Sequence, residues 1–204
     1  FISLDQEKAF DRTSWEYLGL AIQDLNFGTY FQSSVHLMYN HHNPPTRVLR
    51  VNGYIGDPFP IRSGVAQGCA ASPLLYILIT EALTRMVNND TSWSGIPFHI
   101  QGSPRREPHA GIEVLEAENP RHTHTTKIQI KIIQYADDCI LAISAPHLGI
   151  PRAMITVQYY LDATGGLINE HKNTGFLAGH CRTSPPIVSF HWAEDGDYII
   201  SLGL

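Results

Sequence analysis

Cysteine is scarce in this chain, and positive charge is scarcer than negative. The three cysteines among 204 residues, Cys69, Cys139 and Cys181, are odd in number, widely spaced and free of any CxxC pair. That pattern excludes a disulfide framework and a zinc ribbon, and it points to a reducing, intracellular setting. Only 14 Lys and Arg stand against 19 Asp and Glu, a formal charge of -5. Proteins that hold nucleic acid usually draw on Lys and Arg for phosphate contacts, so composition alone speaks against such a partner. The objection weakens if the carboxylates gather around metal ions and the basic surfaces lie on parts absent from this sequence. Long hydrophobic runs are missing too. The longest of note, residues 74–79, is far below the roughly 20 residues of a membrane span, and no signal peptide is seen, so no membrane is expected. Internal repeats are also lacking. The apolar (43%) and charged (16%) fractions sit near globular averages, which excludes wholesale disorder and fibrous architectures.

What is present reads as a single α+β domain of residues 1–204, with helices on one face of a sheet. Phe1-Ile2-Ser3-Leu4-Asp5 has the pattern of a short buried strand that starts abruptly, as though the chain begins mid-fold. Thr13-Ser14-Trp15-Glu16 has the capping-box pattern, and Trp15, Leu18, Ile22 and Leu25 follow at helical spacing, predicting a helix at about 14–25. A second helix is expected at about 30–40, stopped by Pro44-Pro45. Asn52-Gly53 lies between two alternating segments, a strong hairpin signal. Ser72-Pro73 offers a cap and a first-turn proline for a helix reaching about Val87. Residues 90–126 show no clear period and read as a long loop or insertion. From Lys127 the period is two, interrupted by Tyr135-Ala136-Asp137-Asp138 and resumed from Cys139: strand, acidic turn, strand. A helix at about 149–163 should end at Gly165-Gly166. A turn and strand to Leu177 follow, and Tyr198 to Leu204 reads as a last strand.

Asp5 ends the first strand and Asp137-Asp138 sit at the hairpin tip, so pairing these strands would bring three carboxylates to one edge. Such a cluster repels itself, and a bound divalent cation is the usual relief at neutral pH. Mg²⁺ suits carboxylates, retained waters and substrate phosphates. Two such ions about 4 Å apart serve an in-line phosphoryl displacement, activating the attacking hydroxyl and stabilising the leaving oxygen. An Asp-Asp turn by itself is more often a solvated loop. The histidines, His122 and His124 and then His171, His180 and His191 with Cys181, invite a zinc reading, but no pair has a familiar spacing.

The residues around the aspartates give the chemistry a context. Leu4-Asp5-Gln6-Glu7-Lys8-Ala9-Phe10-Asp11 resembles the first polymerase block of LINE-type (non-LTR) reverse transcriptases, LDxxKAFD. The stretch from Gly64 through Gln67-Gly68-Cys69-Ala70-Ala71-Ser72-Pro73-Leu74-Leu75 resembles their second, GxxQGxxxSPLL, and Tyr135-Ala136-Asp137-Asp138 their third, (F/Y)ADD. Thr164 to Lys172 is similar to SGLxINxxK, and Ser201-Leu202-Gly203 to the start of YLG. All five stand in the family's order.

The resemblance implies a polymerase palm, an antiparallel sheet with helices packed on one face around a ferredoxin-like core, with fingers and thumb missing. It implies Asp5, Asp137 and Asp138 as catalytic metal ligands for two Mg²⁺ ions, with Mn²⁺ able to substitute. Phe10 matches the aromatic gate that excludes a 2'-hydroxyl, Gln67 and Gly68 the loop against the nascent base pair, and Lys172 a proton donor to departing pyrophosphate. Lys8 and Asp11 are structural on this reading. The implied activity is RNA-directed DNA synthesis from dNTPs on an RNA template and a DNA primer. The setting would be nuclear or cytoplasmic, in a retroelement ribonucleoprotein whose polyprotein carries fingers and thumb and can carry an endonuclease. Ala70-Ala71 departs from the usual Pro-Leu, and the fourth block reads Gly166-Leu167 where Leu and a basic residue are common. A group II intron-type reverse transcriptase and a decayed palm that binds RNA without catalysis stay open as alternatives.

Overall fold

The computed structural model describes residues 1–101, 113–116, 125–183 and 190–193. In chain order its elements are β1 (Ile2–Asp5), α1 (Ala9–Arg12), α2 (Trp15–Asp24), α3 (Thr29–Met38), β2 (Thr46–Arg47), β3 (Arg50–Val51), β4 (Tyr54–Ile55) and β5 (Phe59–Pro60). There follow α4 (Ser72–Asn89), β6 (Ile96–Gln101), β7 (Glu113–Glu116), β8 (Thr125–Ile130), β9 (Ile132–Tyr135), β10 (Asp138–Leu141), α5 (Pro146–Thr164), β11 (Thr174–Gly175), a 3-10 turn (Gly179–Thr183) and β12 (His191–Trp192). Helices and sheets are mixed along the chain, an α+β fold. The residues divide into two compact units. One holds Phe1–Gln6, Leu83–Tyr160 and Ile168–Leu204, the other Glu7–Ala82 and Leu161–Leu167.

The first unit is built on a five-stranded sheet in the order β12-β11-β1-β10-β9. β1 pairs antiparallel with β10, Ile2 opposite Leu141 and Leu4 opposite Cys139, and these four are the buried residues of their strands. Alternation then turns Ser3, Asp5, Asp138 and Ile140 to the other, half-exposed face. The period-two pattern therefore seals one sheet face and leaves the carboxylates out of the core. Leu83 and Val87 of α4 and Ile150, Ala153 and Val157 of α5 are buried as well, at the i, i+3, i+4, i+7 spacing of an apolar helix face. The sheet is antiparallel except at its edge, where β11 and β12 run parallel.

Two sequence expectations are corrected here. Within the stretch 90–126, read as loop, β6 and β7 are strands, and with β8 they make a three-stranded antiparallel sheet ordered β6-β8-β7. Ile96, Phe98 and Ile100 do alternate, but interleaved proline and histidine masked the period. Residues 102–112 and 117–124 of that stretch lie outside the described ones, as does the strand expected at 198–204. The single strand expected from Lys127 is in fact two. The chain leaves one sheet after Ile130 and enters the other at Ile132, and the residue between them, Lys131, is buried at 5% exposure. Its ammonium donates to the Asp90 carbonyl and lies 5.1 Å from the centre of the Trp93 ring, so the buried charge is met on two sides.

In the second unit α2, α3 and the start of α4 form where expected, and the short α1 was not foreseen. Ser14 caps α2 by accepting from the Tyr17 amide at 3.2 Å. Trp15, Leu18 and Ile22 form its buried face, and the Trp15 indole donates to the Gly64 carbonyl at 2.8 Å. Asn52-Gly53 makes the expected turn between β3 and β4, both residues at positive φ. Gly64 is required sterically: a Cβ there would sit 2.7 Å from the Asp11 carbonyl oxygen, at a φ of +84°. Ser72 is already helical, and its hydroxyl donates to the Ala66 carbonyl at 2.7 Å, bridging to the loop that precedes the helix.

Candidate active site

Four of the seven residues singled out from the sequence lie in the first unit. Asp5 closes β1 and stands in register with Asp138, the first residue of β10. Directly opposed residues of an antiparallel pair carry their side chains on the same face, with Cβ atoms about 5 Å apart. Asp137 precedes Asp138 in the two-residue turn between β9 and β10, where Tyr135 pairs with Asp138. It is exposed, whereas Asp5 and Asp138 are half-buried. The turn is held by Ala136 at φ 53°, a left-handed backbone that costs an alanine strain.

Lys172 meets the same aspartate, its Nζ 3.6 Å from Asp5 Oδ2. Sequence reasoning missed the residue beside it. Asn173, 3% exposed, accepts the Asp5 amide on its Oδ1 at 3.1 Å, and the Asn169 amide donates to the Asp5 carbonyl at 2.8 Å. Both backbone groups at the end of β1 are thus satisfied by one loop. A buried asparagine directly after the lysine of the fourth block was the available signal.

The donors at this edge are carboxylate oxygens, hard ligands of the kind Mg²⁺ takes. Among the described residues no three His, Cys, Asp or Glu side chains stand close enough together to hold a metal by themselves. The pairing expected for the strands is present, and a ready three-carboxylate cage is not. His122 and His124 lie outside the described residues, and the described histidines and cysteines make no such group either. Cys139, behind Asp138 on the buried face, has its thiol pushed up to about 12 by burial, with the Asp138 charge adding to it.

Phe10, Gln67 and Gly68 belong to the second unit. Phe10 is half-buried and stacked on Tyr76 of α4, ring centres 4.7 Å apart and 21° from parallel. Gln67 is exposed and its amide nitrogen lies 3.5 Å from Asp11 Oδ1, at the limit of a hydrogen bond. Gly68 is exposed at φ +85°. Lys8, also left-handed at φ 50°, starts α1, and Asp11 receives Ser63 and Gln67, so the structural reading of these two fits their contacts.

With this geometry in place, the chain can be set beside known proteins. The family described as "Reverse transcriptase (RNA-dependent DNA polymerase)" matches residues 1–199. A Xenopus laevis protein named "Transposon TX1 uncharacterized 149 kDa protein" is 29% identical over 188 residues, which are 91% of this chain and 12% of that protein. The chain therefore spans about an eighth of that relative's length. Among the described residues no helix is long and apolar enough to cross a membrane.

Proposed function

Because this chain belongs to the reverse transcriptase (RNA-dependent DNA polymerase) family, we propose that it is the catalytic palm of a polymerase that copies RNA into DNA. The observation that carries this reading is the β1–β10 register, which sets Asp5 beside Asp138 with Asp137 next along the turn. In the proposed reaction the 3'-hydroxyl oxygen of a DNA primer attacks the α-phosphorus of a dNTP. A new phosphodiester bond forms, the bond to the bridging oxygen breaks, and pyrophosphate leaves. The transposon relative and the spelling of the five blocks support a mobile element of the non-LTR, LINE type.

Asp5 and Asp138 would hold a divalent cation, Mg²⁺ or Mn²⁺, with Asp137 contributing from the turn. Mg²⁺ is ordinarily bound through one or two carboxylates plus substrate phosphates, so an in-register pair is a sufficient protein share. When bound, such ions neutralise phosphate charge and make the hydroxyl a better nucleophile. The protein's part is to keep the two strands in register and the turn at the sheet edge. Phe10, backed by Tyr76, is read as the wall that a 2'-hydroxyl would strike. Gln67 and Gly68 are read as the loop against the nascent pair, and Lys172 as the proton donor to pyrophosphate. A ferredoxin-like core belongs to this proposal. So do fingers, thumb and endonuclease parts elsewhere in the parent protein, supplying the basic surface that 14 Lys and Arg do not.

The test is primer extension on an RNA template by the parent polymerase. Asp5→Asn and Asp138→Asn are expected to lower extension with every nucleotide, by about a hundredfold or more. Phe10→Val should keep dNTP use and admit ribonucleotides, because removing a wall abolishes rejection without touching the metal ligands. Undiminished extension by a folded Asp138→Asn enzyme would sink the assignment.

A further inference from the structure

The loop of residues 169–173 makes three separate contacts with one residue. The Asn169 amide holds the Asp5 carbonyl, the Asn173 side chain holds the Asp5 amide, and the Lys172 ammonium faces the Asp5 carboxylate at 3.6 Å. The loop is closed on itself by the Lys172 amide donating to the Asn169 carbonyl at 3.0 Å. These contacts differ in kind. The two backbone contacts are short, and one comes from a buried asparagine. The ionic contact is long and made by a side chain 65% exposed, to a carboxylate 30% exposed. An exposed ion pair of this kind is weak and easily exchanged, since solvent screens it and a flexible lysine stem must be ordered to keep it.

We infer that, before metal arrives, Lys172 is the resident counter-charge of Asp5, which an arriving divalent cation must displace. Asn169 and Asn173 keep the end of β1 in place while the carboxylate changes partner. The inference rests on the reading of Asp5 as a metal ligand, and it adds a regulation of that site. Asp5 faces a second carboxylate across the ladder, Asp138, so the sheet edge carries paired negative charge. An ammonium there offsets that charge and holds the carboxylate ready. The same ammonium competes for the oxygens a metal would use, and apparent affinity falls with the fraction of molecules in which Asp5 is engaged. Exchange also releases Lys172 at the moment the site is charged with metal.

The experiment is a Mn²⁺ titration of the 204-residue chain, followed by calorimetry and by the paramagnetic signal of free Mn²⁺, neither of which needs catalysis. Lys172→Met and Lys172→Gln are expected to bind Mn²⁺ about 2- to 5-fold more tightly than wild type, the range set by an exposed ion pair. Lys172→Arg, which keeps the charge, is expected to bind as wild type does. Melting temperatures without metal should stay alike across the four proteins. Unchanged or weaker binding in both neutral variants overturns the inference and leaves the metal reading of Asp5 intact. Failure of wild type itself to bind Mn²⁺, both alone and with a dNTP present to supply the phosphates, overturns both.

Discussion

Cys139 and Cys69 show how strongly position governs a side chain whose type is the same. Cys139 is 1% exposed on the buried face of β10, and its thiol is pushed up to about 12 by burial, with the neighbouring Asp138 charge adding to it. Cys69 precedes α4, where hydrogen bonds from the Ala71 amide and then from Ser72 favour the thiolate and lower its pKa from the usual thiol value. Thiolate is the species that reacts, and access decides the rest. Iodoacetamide at neutral pH should therefore label Cys69 well before Cys139, as read by peptide mass mapping, and Cys139 only once the protein unfolds. Early labelling of Cys139 in folded protein would contradict the placement of β10 in the core.

At the scale of one element, the β9–β10 hairpin concentrates the site's strain in Ala136. A left-handed alanine costs about 1 to 2 kcal/mol relative to the right-handed backbone, whereas glycine takes either hand. Ala136→Gly is expected to stabilise the chain by up to about 1 kcal/mol, the gain reduced by the larger entropy glycine loses on folding. Ala136→Val should destabilise it by more than about 1 kcal/mol, because a β-branched residue tolerates positive φ poorly. Urea denaturation midpoints of the two variants decide the matter. A stabilising valine would show that the turn is not strained at this residue. The other hairpin, β3–β4, meets the same demand without strain by using Asn52-Gly53.

Across the whole molecule, resistance to acid should depend on Asp90, just past the end of α4. Burial is the largest single influence on its carboxyl and raises the pKa. Hydrogen bonds from Ser92, Thr156 and Trp93 together outweigh it and hold the value at about 2. Thr156 donates to it at 2.7 Å and the Trp93 indole at 2.9 Å, so one carboxylate joins the 90–93 turn to α5 within the first unit. The folded pKa is below the unfolded one of 3.8, so the stabilisation is complete above about pH 4 and is lost as pH falls through about 2. Asp90→Ala should cost about 2 kcal/mol at neutral pH, since it leaves a buried indole donor unpaired. It should also flatten the decline in stability between pH 4 and 2. An unaltered acid limb in the variant would place the acid-sensitive group elsewhere.

Much of this was legible in one dimension because the rules involved are local. Capping at Ser14, the Asn52-Gly53 turn, the two-residue period of β1 and β10 and the carboxylates at their ends all follow from neighbours a few residues apart. So did the family, since short blocks in order are a property of the string, and the family match over residues 1–199 together with the transposon relative bears that resemblance out. Other features needed the fold. β6 was missed because proline and histidine interleave its apolar residues, and its pairing with β8, up to 34 residues away in the ladder, is not visible among sequence neighbours. Lys131 looks like any exposed lysine of an alternating strand until two sheets meet on either side of it. Asn173 became part of the site only when residues 168 positions apart were joined by a hydrogen bond to Asp5. The sequence by itself determined which groups the protein owns and the order in which they come. Tertiary structure alone decided which carboxylate pairs with which cation, because side-chain charge is local to a residue and its neighbours in space are set by strand register.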